Sequence, residues 1–294
     1  MPLKYLRELP FWKTIRCFYN SALIKIPEPI GVRLQHYRST GNLIINLKNP
    51  STFSVKIQRR KIYEKDSRMP KLVDKIEVKA FVASQIGSGW IIPTYYAGDE
   101  LPPVEMRKWP IPYVIKPSHA SGLVIFIKDH YDIDWQKIDK EIKLWRQLDY
   151  GREKFEWSYR NVPKRILVEE YIGNQDSHPF DYKFFVFNGK VHAIEVDIDR
   201  YGHHRQAFFD RDWNRMPFRR GRPLFDGVVP RPSRLDEMVS AAEVLGKGWP
   251  FVRIDLYEVD EIPYFGEFTF YPSSGSTQFY PPVWEKTFGD LWNI

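Results

Sequence analysis

A single cysteine, Cys17, occurs in 294 residues, so no disulfide can close within one chain and a disulfide-stapled secreted design gets no support. No apolar run approaches the roughly 20 residues that span a bilayer, and the N-terminal stretch lacks the uninterrupted apolar core of a signal peptide. The expected location is therefore the cytoplasm. Zinc-finger spacing, RNA-recognition signatures and helix-turn-helix patterns are missing, which argues against nucleic acid as a partner. GxxxxGK[ST] is missing too, as are HRD and DFG, and this excludes the Walker and protein-kinase ways of holding a nucleotide. No internal repeat or low-complexity tract interrupts the chain.

What is present is the composition of a folded globular protein: 43% hydrophobic, 28% charged and 16% aromatic residues. The length allows one large domain or two closely packed ones. Lys and Arg number 44 against 37 Asp and Glu, a formal net charge of +7, which favours an anionic partner: a nucleotide, an acidic sugar or a membrane face.

Two stretches carry most of the information. In Arg253 to Tyr271, RIDLYEVDEIPYFGEFTFY, apolar and polar residues alternate over two strands joined by a short polar connection containing Pro263. Closure about Glu261 sets Asp255 across from Glu267 on the polar face. Two facing carboxylates repel unless a cation sits between them, and a divalent ion with oxygen ligands is an economical answer; an ordinary solvated sheet face is the alternative. The second stretch, Pro112 to Lys128, reads as a strand ending at Lys116-Pro117, the small-residue loop Ser118, His119, Ala120, Ser121 and Gly122, and a return strand. A lysine at a strand end followed by such a loop can place an ammonium and backbone N–H groups around a phosphate.

The remaining segments order themselves around these two. A helix is expected from Phe11 to Lys25, where Lys13 and Arg16 beside Trp12 and Tyr19 suit a membrane surface, with packing on the protein itself or on a second subunit as the alternative. Leu43 to Leu47 reads as a short strand. Asn49 or Ser51 caps a basic helix, and Met69 to Gly87 reads as one helix bearing Lys71, Lys75 and Lys79 on one face. Asp134 caps a helix with Ile138, Ile142 and Trp145. The strand Arg165 to Val168 runs into Glu169, Glu170, Tyr171 and Ile172. Asn188-Gly189 marks a tight hairpin in DYKFFVFNGKVHAIEVDID, with Asp181 and Lys183 on one face. His203 and His204 lack the cysteine or carboxylate spacing of a metal site. The basic loop Arg215 to Pro223 is either solvated or receives an anion, and Ser233 opens a last helix before the hairpin.

The order of these signals is more specific than any one of them. Through KLVDKIEVK, YVIKPSHASG, VEEYI, PFDYKFFVFNGK, RIDLY and GEFTFYPSSG, from about Asn49 to the C-terminus, the chain resembles the ATP-grasp superfamily. More closely it resembles the TupA-like ATP-grasp proteins associated with bacterial teichuronopeptide and capsular polysaccharide synthesis. The resemblance implies an α+β ATP-grasp fold, two α+β subdomains gripping ATP, behind an abbreviated and largely helical N-terminal region. The corresponding division is 1–68, 69–106 as the first part of the core, 107–172 as the lid subdomain and 173–294 as the C-terminal subdomain with the metal site.

By motif match the resemblance gives Lys75 and Lys116 to the nucleotide phosphates, Ser118 to Gly122 to a lid over them, and Glu169 to Ile172 to a hinge reading adenine through backbone groups. Asp181 becomes a ribose or nearby polar contact, Asp255 and Glu267 hold Mg2+, and Lys183, Arg200 and Arg205 serve the γ-phosphate and the transferred group. Thr269 stands where the usual metal motif has asparagine, which opens the question of a third ligand.

The activity so implied is ATP-dependent ligation of a carboxylate to an amine through an acyl phosphate. The substrates would be a small-molecule or polysaccharide-linked carboxylate, such as a uronic acid, and an amino acid or amine. A kinase acting on a sugar hydroxyl, a non-catalytic nucleotide- or glycan-binding module and a glycosyltransferase are the competing readings. Contact with the inner membrane face is a further alternative, and the sequence fixes no oligomeric state.

Overall fold

Alternating strands and amphipathic helices assemble into two antiparallel sheets that face a common hollow in the computed structural model, which describes residues 25–131, 133–173, 178–199 and 202–294. Four helices come first: α1 (Glu28–Thr40), α2 (Phe53–Tyr63), α3 (Met69–Val73) and α4 (Glu77–Ile86). The first sheet follows, built from β1 (Thr94–Gly98), β2 (Tyr113–Pro117), β3 (Ile125–Ile127) and β4 (Ile166–Glu170) in the order β1-β4-β2-β3. Helices α5 (Trp135–Gln147) and α6 (Tyr150–Glu153) lie between β3 and β4. The second sheet takes β5 (Asp181–Phe187), β6 (Lys190–Ile198), β7 (Arg205–Phe209), β9 (Phe251–Val259) and β10 (Ile262–Thr269), in the order β10-β9-β5-β6-β7. The short β8 (Arg219–Arg220) pairs with β11 (Phe279–Tyr280), and α7 (Leu235–Leu245) and α8 (Val283–Leu291) complete the chain. Among the described residues no helix is long and apolar enough to cross a membrane.

Each sheet has its own core. Ile138, Ile142 and Trp145 recur at helical spacing on α5 and pack with Tyr113, Ile115, Ile166 and Val168 of the first sheet. Asp134 caps that helix, its side chain accepting the Lys137 N–H at 2.9 Å. The second sheet is covered on both faces. Tyr182, Phe184 and Val186 share one face with Ile254 and Leu256, and that face packs against Leu235, Met238 and Ala242 of α7. The opposite face changes character along its length. At one end Phe185, Phe187 and Phe251 meet Phe53 of α2 and Phe288 of α8, with ring centroids 4.8–6.2 Å apart. At the other end the same strands carry charge.

Three local expectations are corrected. Residues 43–47 form no strand. Helix Met69 to Gly87 is broken between Val73 and Glu77, because extended Asp74 turns its carboxylate to accept the N–H groups of Ile76 and Glu77 at 2.9 and 3.4 Å, starting a new helix. Lys75 therefore leaves the helical stripe of Lys71 and Lys79. Pro263 lies within β10, not in the connection; β10 is an edge strand, where a missing N–H is tolerated. The helix expected from Phe11 to Lys25 falls, except for Lys25, outside the described residues.

Candidate functional site

Register decides which side chains the charged end of the second sheet presents. The turn of β9–β10 is Asp260-Glu261, both at positive φ (52° and 62°), and the strands pair from Val259↔Ile262. Continued regularly, that pairing would put Asp255 against Gly266 and turn Glu267 toward the Ile254 face. A bulge between Phe265 and Glu267 inserts one residue and brings Glu267 opposite Asp255. A second bulge does the same in β5–β6. From the Asn188-Gly189 turn, regular pairing would set Lys183 against Ile194, whereas the shift between Phe185 and Val186 sets it against Glu195, and Asp181 against Asp197.

Two rows result. Glu267, Asp255, Lys183 and Glu195 run across β10-β9-β5-β6, and Tyr257, Asp181, Asp197 and Gln206 run across β9-β5-β6-β7. They floor a cavity of about 700 Å³, a volume suited to a small-molecule ligand.

Lys183, almost fully buried, is the hub of this floor. Its ammonium lies 3.0 Å from Asp197 Oδ2 and in closer contact with Asp181. Burial opposes its charge, but Asp181, Asp197 and Asp255 outweigh burial and raise its pKa. Gln206 Nε2 donates to Glu195 Oε1 at 2.6 Å and to Asp197 Oδ1 at 3.0 Å, and His204 Nε2 lies 2.8 Å from the same Asp197 oxygen. Burial favours ionisation of neither acid, yet Lys183 and these hydrogen bonds hold Asp197 below the usual range, while burial and the neighbouring Asp197 push Glu195 up.

At the β9–β10 corner the cation between the facing carboxylates is Arg253. It donates through Nε to Asp255 Oδ1 at 2.7 Å and through Nη2 to Asp255 Oδ2 at 2.6 Å. The same Nη2 reaches Thr269 Oγ1 at 3.2 Å and stands 3.9 Å from Glu267 Oε1, while the Thr269 hydroxyl donates to Glu267 at 3.3 Å. Burial pushes the Asp255 carboxyl up, to about 7, against the pull of Arg253 and Lys183. Among the described residues no three His, Cys, Asp or Glu side chains cluster as a metal site by themselves. The set Asp255, Glu267 and Thr269 nevertheless fits Mg2+ chemically: hard oxygen donors already surround a cation, and this ion takes few protein ligands, filling its shell with water and phosphate oxygens.

The opposite wall carries lysines. Lys79 Nζ donates to Glu169 Oε2 at 2.9 Å, Lys116 makes a short ion pair with Glu169 Oε1, and Lys75 donates to the Ala120 carbonyl at 2.7 Å. Burial alone would raise the Glu169 carboxyl, but Lys116 and Lys79 hold it at about 2. Phe126 and Tyr171 meet edge to face at 5.5 Å, forming an aromatic patch at this end with Ile172 and His178 nearby on the lining.

The sequence candidates thus divide. Lys75, Lys116, Ser121, Gly122, Glu169, Glu170, Tyr171, Ile172, Asp181, Lys183, Asp255 and Glu267 all line one cavity. Ser118 and His119 turn away: Ser118 Oγ donates to the Pro163 carbonyl at 2.6 Å, His119 Nε2 lies 3.0 Å from the Trp145 carbonyl, and Ala120 is buried between them and Ser121. Arg205 pairs with Asp226 at 3.6 Å beside a separate hollow, and Arg200 lies outside the described residues. Sequence reasoning missed Arg253 as a partner, Lys79, and the acids Glu195 and Asp197. Their alternation in HAIEVDID was the available signal, hidden by the bulge. Of the basic loop offered as an anion receiver, Arg220 and Arg222 reach the cavity, whereas Arg215 donates to the Gly227 carbonyl at 2.9 Å.

Solved structures similar to this chain include several ligases. A D-alanine–D-alanine ligase from Bacillus anthracis complexed with ATP matches at 17% identity and a TM-score of 0.42, over 76% of this chain and 63% of that one. An L-amino acid ligase from Bacillus licheniformis matches at 16% and 0.48, over 86% and 57%. The ATP-grasp ligase PsnB, complexed with minimal precursor, Mg and ADP, matches at 13% and 0.39, over 74% and 57%. The chain therefore spans less than two thirds of the length of each of these structures. No curated protein sequence matches. The model of the family described as TupA-like ATPgrasp matches residues 55–293, and by that match over most of its length the chain belongs to the TupA-like ATP-grasp family.

Proposed function

We propose that this protein joins a carboxylate to an amine at the expense of ATP, through an acyl phosphate. The observation that carries the reading is the facing of two sets of groups across one cavity: Lys75 and Lys116 on one wall, and the oxygen donors Asp255 and Glu267 on the floor opposite. Glu170 to Ile172 and Phe126 would enclose the base, with Asp181 near the ribose. Lys75, Lys116 and the loop residues Ser121 and Gly122 would hold the phosphates. Mg2+, held by Asp255 and Glu267 with Thr269 beside them, would neutralise phosphate charge.

A substrate carboxylate oxygen attacks the γ-phosphorus; the bond to the β,γ-bridging oxygen breaks and ADP leaves. The amine nitrogen then attacks the acyl carbon, and the C–O bond to phosphate breaks with its electrons going to phosphate. An amide forms, and the nitrogen's surplus proton leaves with phosphate or solvent. No protein nucleophile is needed, because charge neutralisation and positioning do the work. Lys183 and Arg220, both on the cavity lining, would steady the acceptor's negative charge, and a uronic acid of a cell-surface polysaccharide is the acceptor class we favour. The amine would be an amino acid or amino alcohol.

The test is to incubate purified protein with Mg·ATP, free glucuronate or galacturonate, and mixed amines. ADP with a product heavier by the amine less water supports ligation. A product heavier by phosphate would establish kinase action instead, and absence of ADP with every acceptor would overturn both.

A further inference from the structure

One side chain lies against both carboxylates to which the proposed function gives the metal and against the threonine beside them. Arg253 forks onto both oxygens of Asp255, reaches Thr269 Oγ1, and stands 3.9 Å from Glu267. We infer that Arg253 shuts this corner to a free divalent ion, so that the site takes its metal only together with the nucleotide's phosphates.

The argument rests on chemistry particular to this side chain. A guanidinium does not lose its charge by deprotonation, so the corner cannot open by releasing a proton. Its fork matches a carboxylate in two parallel bonds, and both partners are buried, where water screens the pair poorly. The approach from the other side is cationic too, because Lys183 lies next to Asp255 across β5–β9. An incoming ion must therefore displace Arg253 from Asp255 while gaining no anion besides the two carboxylates. A triphosphate changes that balance: it supplies oxygens that match the guanidinium fork as well as the carboxylate does, freeing Asp255 as the ion arrives. Arg253 acts here as a positioning residue, and its effect is on which form of the metal is admitted.

This inference depends on the assignment of Asp255 and Glu267 to the metal, and the test separates the two. Mn2+ binding to nucleotide-free protein is followed by the loss of the free-ion resonance signal. Wild type should bind weakly, R253Q roughly tenfold or more tightly, and R253K between them, since lysine keeps the charge but loses the fork. R253Q with E267Q should lose the gain. Equal or weaker binding by both R253Q and R253K, with Mn·AMPPNP binding still dependent on Glu267, would overturn the role of Arg253 alone. A gain that survives the E267Q change would instead remove the ion from this corner, and with it the inference. Should R253Q fail to fold, wild type answers by nitrogen-15 resonance of the arginine Nε–H groups, with R253K identifying the Arg253 signal. That signal should stay in place on adding millimolar Mg2+ and move on adding Mg·AMPPNP; movement with Mg2+ alone would refute the inference.

Discussion

Gly266→Ala probes the site without touching a charged group. Gly266 is the extra residue of the β9–β10 bulge, and a Cβ built on it would lie 2.9 Å from the Asp255 carbonyl oxygen and 2.9 Å from Tyr257 Cε2. Both are closer than real Cβ contacts, and the oxygen belongs to a backbone that cannot rotate away. Two responses are open. The bulge could vanish, letting alanine pair with Asp255, but Glu267 would then turn toward Ile254 and the apolar core, which costs several kcal/mol for an ionised carboxylate, on the order of 5 or more. The lesser strain is for β10 to part from β9 locally, at about 1–3 kcal/mol for overpacking, offset by roughly 0.5 kcal/mol from the stiffer unfolded chain. At about 2–4 °C per kcal/mol for a chain of this size, the melting temperature should fall by roughly 1–10 °C. Glu267 would move off Asp255, so stabilisation by Mg·AMPPNP, read as the shift of that melting temperature, should largely disappear. Gly89→Ala is the control, because nothing lies within 4 Å of its Cβ position. Gly266→Ala protein that melts with wild type and keeps the full nucleotide shift would refute the claim that the bulge builds the site.

Three further outcomes follow from the same geometry. Glu267→Gln should cut ADP formation by about 100-fold or more while changing stability by less than about 1 kcal/mol, since this side chain is partly exposed; substantial turnover in a coupled ADP assay would sink its metal role. Lys183→Met leaves Asp181 and Asp197 buried without their shared cation, so it should destabilise by about 3–5 kcal/mol in urea unfolding, far more than loss of a lysine that contacted only ligand phosphates. Glu169 has its folded pKa depressed to about 2, so its stabilisation is present above the ordinary value near 4.5 and fades as pH falls from there through about 2. Glu169→Gln should flatten that acid limb of the stability curve, by up to roughly 3 kcal/mol, and an unchanged limb would show that Lys79 and Lys116 do not set it.

The ordered motifs made the fold legible, and they brought most of the site together, because several sit at a strand end or tight turn where local chemistry dictates geometry, although RIDLY lies within β9 and depends on register. Asn188-Gly189 does turn, with φ of 50° and 77°, and Lys116 does end a strand beside a small-residue loop. What stayed hidden was set by partners distant in sequence. Arg60 and Lys61 look like the exposed side of a basic helix, yet both are fully buried. Arg60 donates to the carbonyls of Phe251 and Phe270, and Lys61 donates to Ser274. Gln58 joins them on the Gly275 carbonyl, and together these donors clamp a turn in which Ser273, Ser274 and Gly275 all take positive φ. Ser118 and His119 look like loop residues free to meet a ligand, and are anchored by carbonyls 45 and 26 positions away.

The two bulges have a consequence for how such a site is conserved or lost. A two-residue turn gives a hairpin a fixed parity: side chains whose positions sum to one number face each other, and a shift of one swaps floor for core. Asp255 with Glu267, and Lys183 with Glu195, both sum to one more than their turn alone would set, each by one inserted residue. Substituting a neighbour leaves that parity alone, whereas deleting a single residue between turn and acid, even an apparently idle His192 or Gly266, reverses it for the rest of the strand. A relative that keeps every charged residue but differs by one in these spacings would carry the same letters without the same site.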